Sequence, residues 1–202
     1  MNSEDLWRAT LHDFNNLLAG LQGVLELSDP RVPMDPRNRV RMEASIEDGK
    51  TLIIMARALA LGRHPDSGFI LWPEWKRGLE DKLQPVSQLF RCPIEVAAGS
   101  GVEDERWPAP GLQDWVVAFT RHVLPWVAPD PLKVVAEVTP SGWMVTWQGD
   151  APMPVVLLPD PPPDAPRSIS SYWLLMASKR LGVTIEKTPA GLVARMERPC
   201  GS

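Results

Sequence analysis

The stretch that decides the fold is residues 3–28, SEDLWRATLHDFNNLLAGLQGVLELS, in which apolar side chains recur in alternating steps of three and four. Such a period is typical of an amphipathic helix that packs in a bundle. The stretch therefore predicts one long helix with a wide apolar stripe. The members of this stripe are Trp7, Leu11, Phe14, Leu17, Leu18, Leu21, Val24 and Leu25.

A second helix is predicted from Pro36 to Arg63, after a loop at 29–36 that contains three prolines. Asp35 is placed to cap this helix and Pro36 suits its first turn. Two helices with short connections form a hairpin, but they bury too little apolar surface alone. We therefore predict that two copies dimerise into a four-helix bundle. The alternative is that the hairpin packs on the rest of the chain.

The pattern changes after His64, and the remaining chain predicts an α+β domain of mostly antiparallel strands with about three helices on one face. We place the hairpin domain at 1–64 and the α/β sandwich at 69–198. Helices are predicted at 74–90, 111–127 and 168–181. Strands are predicted at 69–72, 93–97, 132–138, 142–147, 155–158, 183–187 and 192–197.

Composition narrows the class of protein. The 202 residues carry a net charge of −4 and no basic block, which argues against a nucleic-acid partner. The two cysteines show neither metal-ligand spacing nor a disulfide pattern. The first residues lack the features of a signal peptide, and no stretch predicts a membrane span. We therefore expect a cytoplasmic protein without a membrane partner.

Chemistry is concentrated in residues 11–18, LHDFNNLL. On a helix, His12 lies beside the apolar stripe on its outward side, and Asn16 follows one turn later. A neutral imidazole is a good nucleophile near pH 7, and the neighbouring Asp13 carboxylate can orient its ring. The Asn16 amide can hydrogen-bond a phosphoryl oxygen or position a water. The alternative is that His12 is a solvated surface histidine among polar neighbours, without a catalytic role.

The string His-Asp-Phe-Asn-Asn-Leu-Leu at 12–18, on the first helix of a hairpin, resembles the phosphoacceptor motif of bacterial sensor histidine kinases. In that family the hairpin dimerises into a four-helix bundle and is followed by an ATP-binding α/β sandwich. The resemblance implies that His12 is phosphorylated, that Asp13 is its acidic partner, and that Asn16 assists transfer or phosphatase chemistry.

The nucleotide-binding boxes of that family are degenerate in this sequence. Residues 119–123, Phe-Thr-Arg-His-Val, lack the magnesium-binding asparagine and place His122 at its position. Residues 150–154, Asp-Ala-Pro-Met-Pro, have proline where the family has two glycines. Residues 167–172, which match the phosphate-binding box, contain no glycine. Proline removes a donor and bulkier residues block close approach of the backbone, so ATP binding is not expected.

A chain with an intact phosphoacceptor motif and degenerate nucleotide-binding motifs resembles the histidine phosphotransferases that combine a kinase-like hairpin with a degenerate kinase domain. The resemblance implies a phosphorelay between His12 and receiver-domain aspartates of response regulators. The chain itself would need no cofactor, because magnesium would come with the receiver. A histidine kinase is a further candidate partner. Two alternatives stay open: a divergent active histidine kinase, and a non-catalytic docking or phosphatase-type regulator.

Most of the nine tryptophans are expected in the core or at domain interfaces. Trp72, Trp75 and Trp107 flank predicted loops, so they are also candidates for a partner surface. His122, on an apolar helix, is expected to be partly buried rather than a metal ligand.

Overall fold

A computed structural model describes residues 3–27, 31, 33–61, 67–149, 169–189 and 191–198. By its contacts the chain divides into two compact units, Met1–Arg63 with Asp160–Trp173, and His64–Pro159 with Leu174–Ser202. The first unit contains the helical hairpin, α1 (Ser3–Glu26) and α2 (Pro36–Ala60). In the described part of the chain, no helix is both long and apolar enough to cross a membrane.

Both hairpin helices begin where the sequence predicts. The Asp35 side chain accepts a hydrogen bond from the Arg37 backbone N–H at 2.7 Å, which caps α2, and Pro36 occupies the first turn. The helices pack closely at Gly49, where an added methyl group would lie 2.7 Å from Leu17 Cδ2. The hairpin prediction is therefore confirmed at the level of its two helices.

One stripe of the hairpin is apolar but exposed in the single chain. Leu11 and Leu18 expose 56% and 58% of their surface, although the sequence pattern assigns both to a core. The residues of this exposed stripe are Trp7, Leu11, Leu18 and Leu25 of α1 with Ile46 and Ile53 of α2. Since only part of the predicted stripe is buried, the described residues of one chain leave an apolar face of the hairpin exposed.

The second unit is an α/β sandwich with two sheets. Its helices are α3 (Trp72–Phe90), α4 (Gly111–Val127) and α5 (Ile169–Leu181). Its strands are β1 (Ser67–Leu71), β2 (Ile94–Ala98), β3 (Arg106–Pro110), β4 (Leu132–Thr139), β5 (Gly142–Gly149), β6 (Val183–Thr188) and β7 (Gly191–Glu197). In the division given above, α5 crosses the boundary: its residues up to Trp173 belong to the first unit, and those from Leu174 belong to the second.

The main sheet has the strand order β2-β4-β5-β7-β6. β2 and β4 run parallel, and the other neighbours are antiparallel. The α+β class and the mostly antiparallel sheet are confirmed. Of the β1–β3 pair, the sequence predicts a strand at 69–72 but none at 106–110. β3 reads Arg-Trp-Pro-Ala-Pro, and its two prolines argue against a strand at the level of sequence. The predicted strand at 155–158 lies outside the described residues.

The core of the sandwich is aromatic. Trp72, Trp75 and Trp107 expose 5%, 0% and 0% of their surface and pack together with ring centroids 4.8–5.5 Å apart. The suggestion that these three tryptophans form a partner surface is therefore wrong. They flank loops along the chain, but Trp107 of β3 packs against the rings of Trp72 and Trp75 of α3. Trp75 Nε1 donates to the Pro108 carbonyl at 3.0 Å, which ties α3 to β3.

The first residue of β7, Gly191, adopts a backbone conformation and a close packing that no other residue type fits. Gly191 has φ +135°, and an added Cβ would lie 2.0 Å from the Trp147 carbonyl oxygen. We expect Gly191→Ala to lower the free energy of unfolding by about 3 kcal/mol or more, because backbone strain adds to a backbone clash. Gly182→Ala is the control: its φ is +64° but it has open space, so about 1 kcal/mol is expected. Urea unfolding midpoints distinguish them, and equal losses would contradict the clash.

Candidate functional site

His12 lies in the first half of α1 on a side of the helix that faces water. Its side chain is 48% exposed, whereas the neighbouring Asp13 side chain is only 10% exposed. At about 100° per residue, the His12 side is turned by roughly 100–140° from the apolar stripe of Leu11, Leu18 and Leu25. The nucleophile candidate is therefore accessible, and an incoming partner need not displace the apolar face.

The His12 ring is oriented by Asp13. Nδ1 lies 3.1 Å from Asp13 Oδ1. A carboxylate oxygen only accepts, so in the tautomer that protonates Nδ1 the Nδ1–H group donates a hydrogen bond to Asp13. The other ring nitrogen, Nε2, then keeps its lone pair. Within the described part of the chain no group hydrogen-bonds to Nε2. Since the His12 side chain is 48% exposed, the arrangement suits nucleophilic attack through Nε2 on a group carried by another molecule.

Asn16 stands one helical turn after His12, as the spacing predicts. Its Nδ2 lies 3.4 Å from His12 Nδ1. When Nδ1–H donates to Asp13, Nδ1 cannot also accept a hydrogen bond from the Asn16 amide, because both groups are then donors. The amide remains within reach of a group arriving at the ring. The structure thus brings His12, Asp13 and Asn16 together.

The region of the predicted nucleotide boxes is partly described. Residues 150–154 and 167–168 lie outside the described residues. In α4, Phe119 and Thr120 are fully buried. Phe119 stacks on Trp115 at 5.1 Å and meets Trp147 edge-on at 4.7 Å. This part of α4 therefore faces packed aromatic rings of the sandwich interior.

Polar groups in this interior are hydrogen-bonded to one another. Trp147 Nε1 donates to Thr120 Oγ1 at 2.8 Å, which ties β5 to α4. Trp115 Nε1 donates to Ser178 Oγ at 2.8 Å, which ties α4 to α5. Sequence reasoning missed these cross-links. Trp143 and Trp147 lie four residues apart in β5 and therefore on the same face of the strand, which could have indicated an aromatic inner face. Their hydrogen-bond partners become visible only in the fold.

His122 is half-buried on α4, and burial lowers the pKa of its imidazole below the ordinary value. A neutral, half-buried ring matches the expectation for this position. Among the described residues, no group of three histidine, cysteine or carboxylate side chains lies close enough together to hold a metal ion.

The lowered pKa of His122 predicts a pH effect on stability. Because the unfolded chain binds a proton more readily than the folded one, stability is lost as pH falls through the unfolded pKa near 6.5. We expect His122→Gln to flatten the fall of the unfolding free energy between about pH 7 and pH 5. Chemical denaturation at both pH values measures this. An unchanged slope in the variant would contradict the assignment.

An open cavity of about 430 Å³ lies at one end of the main sheet. Pro93, Pro131 and Gly149 line it, together with the ion pair between Lys133 Nζ and Glu95 Oε1 at 3.5 Å. The two opposite charges largely cancel, and the aromatic interior behind α4 does not contribute to the lining. The chemistry of this cavity does not select a ligand class.

Comparison with known proteins rests on structure alone, since neither a protein-family model nor a curated protein matches the sequence. Acinetobacter baumannii histidine kinase AdeS superposes with TM-score 0.57 and 13% identity, over 92% of this chain and 97% of that chain. A bacterial phosphotransferase solved at 1.7 Å superposes with TM-score 0.53 and 15% identity, over 96% of both chains.

A third similar structure is histidine kinase ThkA in complex with response regulator TrrA, with TM-score 0.53 and 13% identity. The match covers 94% of this chain and 59% of that chain. These similarities extend over the hairpin and the sandwich alike. At such low identity they establish the fold, and the chain therefore has the fold of a sensor histidine kinase core.

Proposed function

We propose that this protein is a histidine phosphotransfer protein of two-component signalling, which relays a phosphoryl group between His12 and receiver-domain aspartates without binding ATP. The observation that carries the proposal is the exposed His12 side chain, whose Nδ1 lies 3.1 Å from Asp13 Oδ1, so that Nε2 is the nitrogen not engaged by Asp13. The fold shared with histidine kinases and with a bacterial phosphotransferase supports it.

The transfer step uses the two ring nitrogens differently. His12 Nε2 attacks phosphorus of the receiver's aspartyl phosphate, an N–P bond forms, and the P–O bond to aspartate breaks. Aspartate leaves as a carboxylate. The ring becomes positively charged, and the Asp13 carboxylate at Nδ1 stabilises that charge. The reverse sequence returns the phosphoryl group to a second receiver. Magnesium, expected on the receiver, neutralises phosphoryl oxygens when bound.

The interior of the sandwich supports the ATP-free part of the proposal. Rings of Trp115, Phe119 and Trp147 pack together in this interior, and the N–H groups of the two tryptophans donate to Ser178 and Thr120. Phe119 and Thr120, which fall in the stretch matched to the magnesium-binding box, are fully buried and point their side chains to these internal partners. Proline at both glycine positions of residues 150–154 adds a sequence argument in the same direction.

The uncovered apolar stripe of the hairpin supports a homodimer as the working form. Its four α1 members, Trp7, Leu11, Leu18 and Leu25, each expose 54–65% of their surface. A contiguous stripe of this kind is typical of an interface. A second copy supplies the same stripe, and pairing two hairpins would complete a four-helix bundle with His12 outside the contact.

The proposed function is tested with purified full-length protein and a panel of purified receiver domains, each phosphorylated with labelled acetyl phosphate. We expect at least one receiver to pass label to the protein, as a product stable to alkali and labile to acid. A second arm offers labelled ATP and magnesium without a receiver, and we expect no label.

The other outcomes identify the alternatives. Label from ATP alone would indicate a divergent kinase. Faster release of inorganic phosphate from a receiver, with no labelled protein intermediate, would indicate a phosphatase-type regulator that acts through Asn16. Receivers that bind without either reaction would leave a docking protein. Only the first of the expected results, label that arrives through a receiver, supports phosphotransfer.

A further inference from the structure

A single basic residue of α1 lies next to the phosphoacceptor candidate. Arg8 is the only lysine or arginine in this helix, and it precedes His12 by four residues. Its side chain is exposed to water, as is that of His12. The orientation of the ring by Asp13 and the transfer step both leave this residue without a role. Its position therefore raises the question of what a cation does there.

The contact between Asn16 and His12 shows the direction in which side chains lean on α1. Asn16 Nδ2 reaches back one turn and lies 3.4 Å from His12 Nδ1. Side chains of a helix lean toward its N-terminus in this way, over the turn that precedes their own Cα atoms. The His12 side chain by the same rule lies over the turn that starts at Arg8. Cβ atoms at this spacing are about 6 Å apart, which an arginine side chain spans easily.

The two nitrogens of the His12 ring have different surroundings. Asp13 and Asn16 both approach Nδ1, and both follow His12 in the chain. Nε2 lies on another edge of the imidazole, so a phosphoryl group bound there is displaced from the Asp13 carboxylate. Arg8 precedes His12, on the side toward which the ring leans. It is thus the basic side chain of α1 that can meet a phosphoryl group on Nε2.

A phosphoryl group on His12 creates a local excess of negative charge. Phosphorylated side chains carry about −1.5 to −2 charges at pH 7, and Asp13 adds one more at the other ring nitrogen. Arginine offers planar N–H donors that can bind two phosphoryl oxygens at once, in charge-assisted hydrogen bonds that are stronger than neutral ones. A guanidinium beside the ring offsets the repulsion between the phosphoryl group and Asp13.

We propose that Arg8 binds the phosphoryl group carried by His12 and thereby sets the share of phosphoryl groups that stays on this protein rather than on a receiver. This inference rests on the proposed function and adds the regulation of the same site. Arg8 makes the contact only when His12 is phosphorylated, so it favours the phosphohistidine side of the exchange with the receiver's aspartyl phosphate. The ratio of phosphorylated protein to phosphorylated receiver at equilibrium then depends on Arg8.

The test measures this ratio for the wild type, Arg8→Gln and Arg8→Lys, with the receiver that transfers label fastest in the panel above. For Arg8→Gln we expect the ratio of labelled protein to labelled receiver to fall by about tenfold, because a charge-assisted contact with phosphate is lost. Arg8→Lys keeps the charge without the two-point contact, so its ratio should lie between the other two. Glutamine and lysine form helices about as readily as arginine, so α1 is retained.

Arg39→Gln is the matched control, since it makes the same substitution at another exposed arginine of the hairpin, near the start of α2. Contacts that are made only while the two proteins are docked change the rates of both directions equally and leave the equilibrium ratio unaltered. Arg39→Gln should therefore stay within about twofold of the wild-type ratio, even if transfer becomes slower. An Arg8→Gln variant that slows both directions equally, with an unchanged ratio, would overturn the inference.

A second readout needs no receiver. Phosphoramidate phosphorylates histidine chemically, and His64→Gln/His122→Gln leaves His12 as the one histidine of the chain. A nearby cation favours the dianionic phosphoryl group, so phosphorus NMR should show that the group loses its last proton at a higher pH when Arg8→Gln is added to this background. Identical titrations with and without Arg8→Gln would overturn the inference. A wild-type protein that takes label from no receiver would reject the proposed function, and the phosphorus titration would still decide whether Arg8 binds the phosphoryl group.

Discussion

His12→Gln is expected to take no label from any phosphorylated receiver, a loss of roughly 10³-fold or more, because an amide nitrogen has no available lone pair for attack on phosphorus. The ring of His12 is 48% exposed, so its replacement removes little packing and the fold should be retained. Transfer is measured as label in the protein band over time, with circular dichroism as a check on folding.

His122→Gln is the matched control, since it makes the same substitution at a half-buried histidine of α4. It should keep full transfer activity. Label that persists in His12→Gln, or that disappears in His122→Gln alone, would contradict the assignment of the phosphoacceptor.

Variants of the two neighbours should separate orientation from charge. Asp13→Asn keeps an acceptor for Nδ1–H but removes the negative charge that stabilises the phosphorylated ring, and we expect transfer to slow by roughly 10²-fold. Asn16→Ala removes only the amide beside the ring, and about tenfold is expected. If Asn16→Ala removes phosphatase activity while transfer is intact, Asn16 serves hydrolysis rather than relay.

The second large effect is expected on oligomeric state. Leu11→Glu/Leu18→Glu should convert the protein from dimer to monomer in size-exclusion chromatography with light scattering. Each leucine exposes more than half of its surface in the single chain, so its burial contributes roughly 1 kcal/mol. Four such side chains per dimer give roughly 4 kcal/mol, which corresponds to about 10³-fold in dissociation constant. Buried carboxylates add a further penalty.

Leu11→Met/Leu18→Met keeps both positions apolar and should remain a dimer, which controls for changes of shape. The glutamate variant should retain the unfolding midpoint of the sandwich, because neither leucine belongs to that unit. A wild-type protein that is monomeric at micromolar concentration, or a glutamate variant that stays dimeric, would contradict the prediction that the exposed stripe forms the dimer interface.

Several features follow from the sequence because they depend on local physics. The start of α2 is set by Asp35 and Pro36, whose cap and fixed backbone act within one turn. The positions of His12 and Asn16 on one side of α1 follow from the helical period. The hairpin of β4 and β5 follows from alternation around a turn at Pro140 to Gly142. Each signal is contained in a few consecutive residues.

Other features were decided by the tertiary structure, because they join residues far apart in the chain. β3 contains two prolines and exists because β1 pairs with it, 39 residues away at Phe69 and Pro108. Trp107 of β3 packs against Trp72 and Trp75 of α3, and all three rings are buried although they flank loops along the chain. The contact of Leu17 with Gly49 sets how α1 and α2 align along the hairpin. The sequence by itself placed His12, Asp13 and Asn16 together on one helix and indicated the class of fold. Only the fold decided which apolar residues stay uncovered, because burial depends on partners that no local pattern names.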